Sequence, residues 1–321
     1  MADPLPGELY AVGVDVGGTK TRACLVRIAD GAVLIENTLP TPCADGGAAV
    51  LDLVVAMASR VLRDAAELAG GKNCPVGVCL PELVTNDGEP GSARNFEWRD
   101  LDFRTPLSAF GPVYVESDVR AAAFAEGWIG AGRDAGIFVY VTLSTGMSHT
   151  LVVKGIPYGG ARGFAIHFAG SELVAWAGPD RDIEVRQHLE VFASGKGMGE
   201  RYARLAGSPG ATARDLAGAA RADPRARQLL DNALLSIASY LGQLVNILDP
   251  EILVIGGGLG GDPEINRRLG DLTRPFIFAD LARDLPIVPA ALADNACAVG
   301  VAALAWRAGP SRQASGERHG L

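Results

Sequence analysis

A chain of 321 residues is long enough for two domains, each with its own hydrophobic core. Its 48% hydrophobic and 21% charged residues are those of an ordinary globular protein, and no apolar run approaches the roughly 20 residues that span a bilayer. A net charge of −8 argues against non-specific nucleic-acid binding. The five cysteines, Cys24, Cys43, Cys74, Cys79 and Cys297, are scattered and never spaced as Cys-x-x-Cys, which argues against a disulfide or structural-zinc framework and for reduced thiols in the cytoplasm. Met1–Pro6 lacks the basic and apolar regions of a signal peptide.

Leu9 to Arg27 reads as two strands joined by a Gly17-Gly18 turn. The first runs into Asp15-Val16-Gly17-Gly18-Thr19-Lys20-Thr21. Two glycines tolerate positive φ and let backbone N–H groups approach an anion closely. Thr19 adds a hydroxyl, and the Asp15 carboxylate sits where it can organise Mg2+, directly or through water. The structural alternative is a tight hairpin turn with an incidental Asp. Ala32–Leu39 is a third strand, and Ala49–Ala69 has helical periodicity ended by Gly70-Gly71. Val76–Leu80 is a buried strand followed by a loop over Pro81–Trp98. Val113–Glu116 is a strand ending at Ser117-Asp118, and Val119–Trp128 is an Ala-rich helix.

A second block starts near Gly136, with strands at Ile137–Leu143 and Thr150–Lys154. Helices are expected at about Leu189–Leu205, Asp215–Ala220 and Arg225–Leu248, then strands at Ile252–Ile255 and Pro286–Pro289. Ala296–Arg307 is a terminal helix, and the polar residues after it read as a disordered tail. The alternation predicts an α/β protein with parallel layers. The expected domains are 1–118 and 119–295, with the helix at 296–307 packing back on the first and a tail over 308–321.

Two more strands run into turns that offer backbone donors. Leu143 is followed by Ser144-Thr145-Gly146, and Ile255 by Gly256-Gly257-Gly258-Leu259-Gly260. Strand ends of this kind are where open α/β sheets hold nucleotides. Neither the P-loop nor the dinucleotide Gly-x-Gly-x-x-Gly pattern is present.

Several motifs occur in one order: Asp15-x-Gly-Gly-Thr-Lys, an Asp before a small-residue helix, Thr-Gly after a strand, and Asp249-Pro250-Glu251-x-x-x-Ile255-Gly-Gly-Gly. That order resembles the ROK family of sugar kinases and sugar-responsive repressors, from about Leu9 to about Trp306. The resemblance implies an actin-like (ribonuclease H-like) ATPase fold, two α/β domains with an interdomain cleft. It implies ATP and Mg2+ as cofactors, a small-molecule sugar as substrate and a homodimer; the acidic charge and the lack of a long apolar run argue against a nucleic-acid or membrane partner. A family repressor's N-terminal helix-turn-helix finds no room before Asp15.

Residue by residue, the resemblance makes Asp118 the general base that takes the proton of the attacking sugar hydroxyl. A helix N-cap is its structural role, and both can coexist. Gly17, Gly18 and Thr19 match the first phosphate loop; Lys20 could face phosphate, but a surface lysine is the safer reading. Thr145 and Gly146 match the second, which continues as Met147-Ser148-His149 where the family has glycines. Gly256, Gly257 and Gly258 match the loop at the adenosine part. Asn95 resembles a loop asparagine that touches sugar, and Ser117 stands where the family has Asn. His167 falls at the family's sugar-binding Glu, Gly170 at its His, and Glu190 keeps a sugar-binding carboxylate. The zinc cysteines are replaced over Ala177–Ile183, so no structural zinc is expected.

A polyol pocket altered in this way rejects the usual polar pattern. The expected reaction is ATP-dependent phosphorylation of a hexose or amino-hexose hydroxyl, at C6. The alternative is a non-catalytic sugar sensor of the same family.

Overall fold

A computed structural model describes residues 9–65, 74–93, 95–98, 100–166, 172–177 and 183–309. The chain opens with strands β1 (Tyr10–Val16), β2 (Lys20–Arg27) and β3 (Val33–Pro40), followed by helix α1 (Gly46–Asp64). Strand β4 (Val76–Leu80), the single turn α2 (Arg104–Leu107), β5 (Val113–Ser117) and helix α3 (Asp118–Ile129) come next. Then follow β6 (Ile137–Leu143), β7 (Met147–Val153), the two-residue β8 (Ile156–Pro157), β9 (Glu172–Ala177) and β10 (Ile183–His188). Helices α4 (Leu189–Ala193), α5 (Gly195–Ala206), α6 (Ala213–Ala219) and α7 (Pro224–Leu248) precede β11 (Ile252–Gly256). Helices α8 (Gly257–Gly260) and α9 (Pro263–Thr273), strand β12 (Ile287–Pro289) and helix α10 (Ala296–Arg307) complete the described chain.

Backbone contacts gather these residues into two compact units. The first holds the described residues up to Gly130, Ile156–Ala165, and the described residues from Asn295 onward. The second holds Ala131–Gly155 and the described residues of Ile166–Asp294.

The first unit is built on a sheet in the order β3-β2-β1-β4-β5. β1, β4 and β5 are parallel, whereas β2 and β3 are added antiparallel. β4 is buried throughout, as a strand covered on both faces must be, while the edge strand β3 alternates between half-buried and exposed. One cover is α1, whose Val50, Val54, Met57, Ala58 and Val61 repeat at helical spacing and join the core with Val12, Val14 and Leu25. The other is α10. Its small side chains let its backbone lie directly on the sheet: a Cβ on Gly13 would meet the Ala298 carbonyl oxygen at 1.9 Å, and one on Gly77 would meet that of Val301 at 2.1 Å. α10 also packs closely against α3, through Gly300 over Ala121.

Within the second unit the sheet runs β12-β11-β6-β7, with β12, β11 and β6 parallel and β7 returning antiparallel from β6. β9 and β10 form a separate antiparallel hairpin. The core lies between this sheet and α7, where Leu234, Ile237 and Leu241 meet Val139, Val141 and Leu253. Asp223 caps α7 by accepting from the Arg225 N–H, with Pro224 at the first helical position.

The described segments differ from the sequence reading in identifiable places. β7 begins at Met147, before the expected Thr150, because polar Ser148 and His149 are paired with Thr142 and Val141. The helix expected over 189–205 divides at Ser194, whose hydroxyl accepts from the Gly197 N–H and starts α5. The hairpin β9–β10 and helix α9 were not anticipated. The tail past Gly309 and the expected helix past Ala65 lie outside the described residues. None of the described helices is long and apolar enough to cross a membrane.

Candidate active site

In the first unit the chemistry-bearing residues gather at the carboxyl ends of the parallel strands, the usual ligand edge of an α/β sheet. Asp15 on β1 stands opposite Cys79 on β4, Cys79 opposite Glu116 on β5, and Leu80 opposite Ser117. Asp118 follows at the first position of α3, where its Oδ1 accepts from the Val119 N–H at 2.7 Å. The N-cap position belongs to Ser117 and not, as expected, to Asp118, which stands one residue further on as a half-buried acid at the sheet edge. Burial, then the neighbouring charge of Asp15, and more weakly Glu82, push its carboxyl up to about 7; the Val119 N–H pulls the other way.

The turn after β1 is held from one side. The Gly17 N–H donates to the Lys20 carbonyl at 3.0 Å. The Thr41 hydroxyl donates to the Gly17 carbonyl at 2.7 Å, the Thr41 N–H to the Thr19 carbonyl at 3.0 Å, and the Cys43 thiol to the Gly18 carbonyl at 2.7 Å. Neither Gly17 nor Gly18 has a positive φ, contrary to the freedom anticipated for them. Gly17 is required by close approach, since its Cβ would lie 2.7 Å from the Lys20 carbonyl oxygen; Gly18 has open space around it. Gly18, Thr19 and Lys20 are exposed, with their carbonyls occupied on the Thr41 side in the case of Gly18 and Thr19.

Asn95 is exposed and fixed by its loop, donating from Nδ2 to the Pro81 carbonyl at 2.7 Å and from its backbone N–H to Glu82 Oε1 at 2.6 Å. Glu82 is buried and also accepts from the Ser92 hydroxyl. Ser117 is fully buried, and its hydroxyl has no hydrogen-bond partner among the described residues. Beneath these groups lies a buried ion pair not singled out in the sequence. Arg120 donates to Glu116 through Nε at 2.7 Å, to the Val84 carbonyl at 2.8 Å, and to the Gly163 carbonyl. Glu116 in turn accepts from the Ser117 N–H at 2.7 Å. The only signal available was the spacing of Glu116 and Arg120, four residues apart across a strand-to-helix junction.

The second unit presents two turns at one sheet edge. Gly256 pairs with Thr142 in the parallel β11–β6 ladder, so the turn after each strand emerges on the same side. Ser144-Thr145-Gly146 closes the β6–β7 hairpin, with the Ser144 N–H donating to the Gly146 carbonyl at 2.9 Å. Glu190 braces it: Oε2 accepts from the Met147 N–H at 2.9 Å. The start of α5 braces it again, through Gly195 N–H to the Ser144 carbonyl at 2.8 Å. Gly257 is held at φ +81°, with a hypothetical Cβ only 2.4 Å from the Leu143 carbonyl oxygen, a geometry reserved for glycine. Gly258 is exposed with nothing beside it, at the start of α8. His149 donates its backbone N–H to the Ile166 carbonyl as a strand residue. His167 and Gly170, expected at the sugar pocket, lie outside the described residues.

The two sheets, their strand-end turns and the acid at the start of α3 define an α/β protein of the actin-like ATPase fold. A ROK family glucokinase from Streptomyces griseus, solved with glucose and AMPPNP, shares it with a TM-score of 0.76 at 24% identity, covering 93% of this chain and 99% of that one. The ROK family model matches residues 11–308, and the chain belongs to the ROK family. It is 29% identical to the glucokinase of Thermotoga maritima over 92% of this chain and 97% of that protein. It is 29% identical to the kanosamine kinase of Amycolatopsis mediterranei over 93% and 97%. With the bifunctional enzyme NanE/NanK of Brucella suis the identity is 32% over 91% of this chain, which spans about half (52%) of that protein.

Proposed function

We propose that this chain is an ATP-dependent sugar kinase that phosphorylates the C6 hydroxyl of a hexose or amino hexose. The observation that carries the reading is Asp118, a half-buried carboxyl at the ligand edge of the sheet whose proton affinity is tuned to about 7. A general base works best when its pKa lies near the operating pH. In the reaction the sugar hydroxyl oxygen forms a bond to the γ-phosphorus of ATP as the bond to the β–γ bridging oxygen breaks. Asp118 accepts the hydroxyl proton, and ADP leaves.

Gly17, Gly18, Thr19 and Lys20, and on the second unit Thr145 and Gly146, are assigned to the phosphates. Gly256, Gly257 and Gly258 are assigned to the adenosine part. Gly18 and Gly258 support this, since each leaves open space beside its backbone. Asp15 is assigned to Mg2+, directly or through water. The fit lies in the charge: Asp15 and Asp118 repel one another, and a hard cation suits an oxygen donor at that place. When bound, Mg2+ neutralises charge on the phosphates.

Asn95, Ser117, His167 and Glu190 are assigned to the sugar. The buried Ser117 hydroxyl, without a hydrogen-bond partner among the described residues, supports the assignment, because a buried polar atom needs one. Similarity to both a glucokinase and a kanosamine kinase supports a hexose or amino hexose. A sensor without catalysis is favoured by the departures from the family pattern at Ser117, His167, Gly170 and Met147-Ser148-His149.

We assign the protein to the cytoplasm from its buried free thiols Cys24, Cys74 and Cys79. A homodimer is supported by the apolar surface of Ile247, Phe276, Phe278 and Leu281 on the second unit; light scattering should give the mass of two chains. The reaction is tested by incubating the chain with MgATP and a sugar it accepts and locating the new phosphate by NMR. A 6-phosphate is expected, and phosphate on another carbon would contradict the C6 assignment.

A further inference from the structure

Cys79 and Cys297 are remote in sequence, yet they meet beside Asp15. The ligand atoms of Asp15, Cys79 and Cys297 all lie within 4.8 Å of one another. The Cys79 thiol is 3.4 Å from Asp15 Oδ1 and 3.6 Å from the Val14 carbonyl, and the Cys297 thiol is 3.6 Å from the Asp118 carbonyl. Three elements supply the trio: the end of β1, the end of β4 and the first turn of α10. The short contact of α10 with the strand backbones, which the small residues at Gly13 and Gly77 permit, brings Cys297 within reach.

This donor set does not suit Mg2+, which takes oxygen ligands. Two sulfurs and one carboxylate oxygen suit a borderline-soft cation. Tetrahedral zinc with ordinary bond lengths separates sulfur from oxygen by about 3.6 Å and sulfur from sulfur by about 3.8 Å. The Asp15–Cys79 separation of 3.4 Å is close to the first of these. Cys79 is fully buried and Asp15 and Cys297 are half-buried, so the trio is largely enclosed by the fold without being wholly shut off from solvent. Three protein ligands leave a fourth position for water.

We propose that Asp15, Cys79 and Cys297 form a binding site for Zn2+ or a similar thiophilic divalent ion. Binding converts both thiols to thiolates, releases two protons, and engages the Asp15 carboxylate. It is an inhibitory site: on the assignment of Asp15 to Mg2+, a filled site removes that carboxylate from its work with MgATP. The inhibition therefore rests on the kinase reading, whereas metal binding does not.

The test uses the full chain with a non-thiol reductant and Co2+ as a spectroscopic probe, without ATP or sugar. One equivalent of Co2+ should give a thiolate-to-cobalt charge-transfer band that Zn2+ removes by competition. Cys297→Ser and Cys79→Ser should each weaken Zn2+ binding by more than about tenfold. Cys43→Ser, which changes an exposed thiol elsewhere, should leave the band intact. Because Cys79 is buried, Cys297→Ser decides the question if Cys79→Ser does not fold. No band, or a band that survives both substitutions, would overturn the site. A fully active kinase with the site filled would overturn the inhibition. A chain that binds Co2+ through these thiols but turns over no sugar under any condition would count against the kinase reading and leave the metal site supported.

Discussion

Asp15 and Asp118 stand at the ends of β1 and β5 with only β4 between them, and each weighs on the other's charge. After burial, the Asp15 carboxylate is the largest reason that Asp118 holds its proton up to about 7. A base of this kind is inactive when protonated, so kcat/KM for the sugar should rise with pH along a limb centred near 7. Asp15→Asn removes the repelling charge, which lowers the proton affinity of Asp118. The limb should then move toward lower pH, whatever the loss in absolute rate. A pH–rate profile of both proteins checks this, and a limb that stays in place would mean that Asp15 does not act on the base.

Arg120 ties α3 to two loops through the Val84 and Gly163 carbonyls while neutralising Glu116. Arg120→Met should destabilise the protein by about 3–5 kcal/mol, because it leaves a buried carboxylate without its partner. The midpoint of urea unfolding should fall accordingly. Replacing both residues, Glu116→Gln with Arg120→Met, should recover part of the loss.

Gly17 and Gly18 separate structural from functional need. Gly17→Ala should cost stability, on the order of 1–3 kcal/mol, since the new methyl meets the Lys20 carbonyl. Gly18→Ala meets nothing in the free protein and should leave the melting temperature nearly unchanged. If phosphate approaches this turn, Gly18→Ala should nonetheless raise the KM for ATP about tenfold or more. An unaltered KM would remove Gly18 from the ATP site.

Glu190 has a structural duty, the Met147 N–H, beside the sugar contact assigned to it. Glu190→Gln keeps an acceptor for that N–H and should unfold close to the wild-type temperature. Its KM for sugar should rise, by about tenfold, with the KM for ATP little affected. Glu190→Ala should lose both functions and destabilise the turn as well. Steady-state kinetics with each substrate varied, alongside thermal melts, distinguishes the two roles.

Much of this was legible because backbone chemistry is local. The Gly17-Gly18 turn lies between β1 and β2 as the apolar runs on either side required, and α10 spans the Ala296–Arg307 segment read from its small-residue pattern. Asp118 was visible as the acid between a strand and a helix. What stayed hidden depends on tertiary approach. Glu82 looked like a loop residue, but the fold buries it against Ser92 and Asn95. Scattered cysteines concealed the meeting of Cys79 and Cys297, because only the packing of α10 on β1 and β4 brings them together. The Gly17 and Gly257 requirements come from carbonyls that approach from other residues, and for Gly257 from another strand.

The most direct test is sugar-stimulated release of ADP from MgATP across a panel of glucose, mannose, N-acetyl hexoses, glucosamine and a 3-amino hexose. The same panel is run with Asp118→Asn. At least one hexose or amino hexose should stimulate the release, by a factor reduced about 100-fold or more in the variant, which should remain folded and bind ATP. Stimulation that survives Asp118→Asn would contradict the assigned base, and a folded, ATP-binding protein that no sugar stimulates would contradict the kinase.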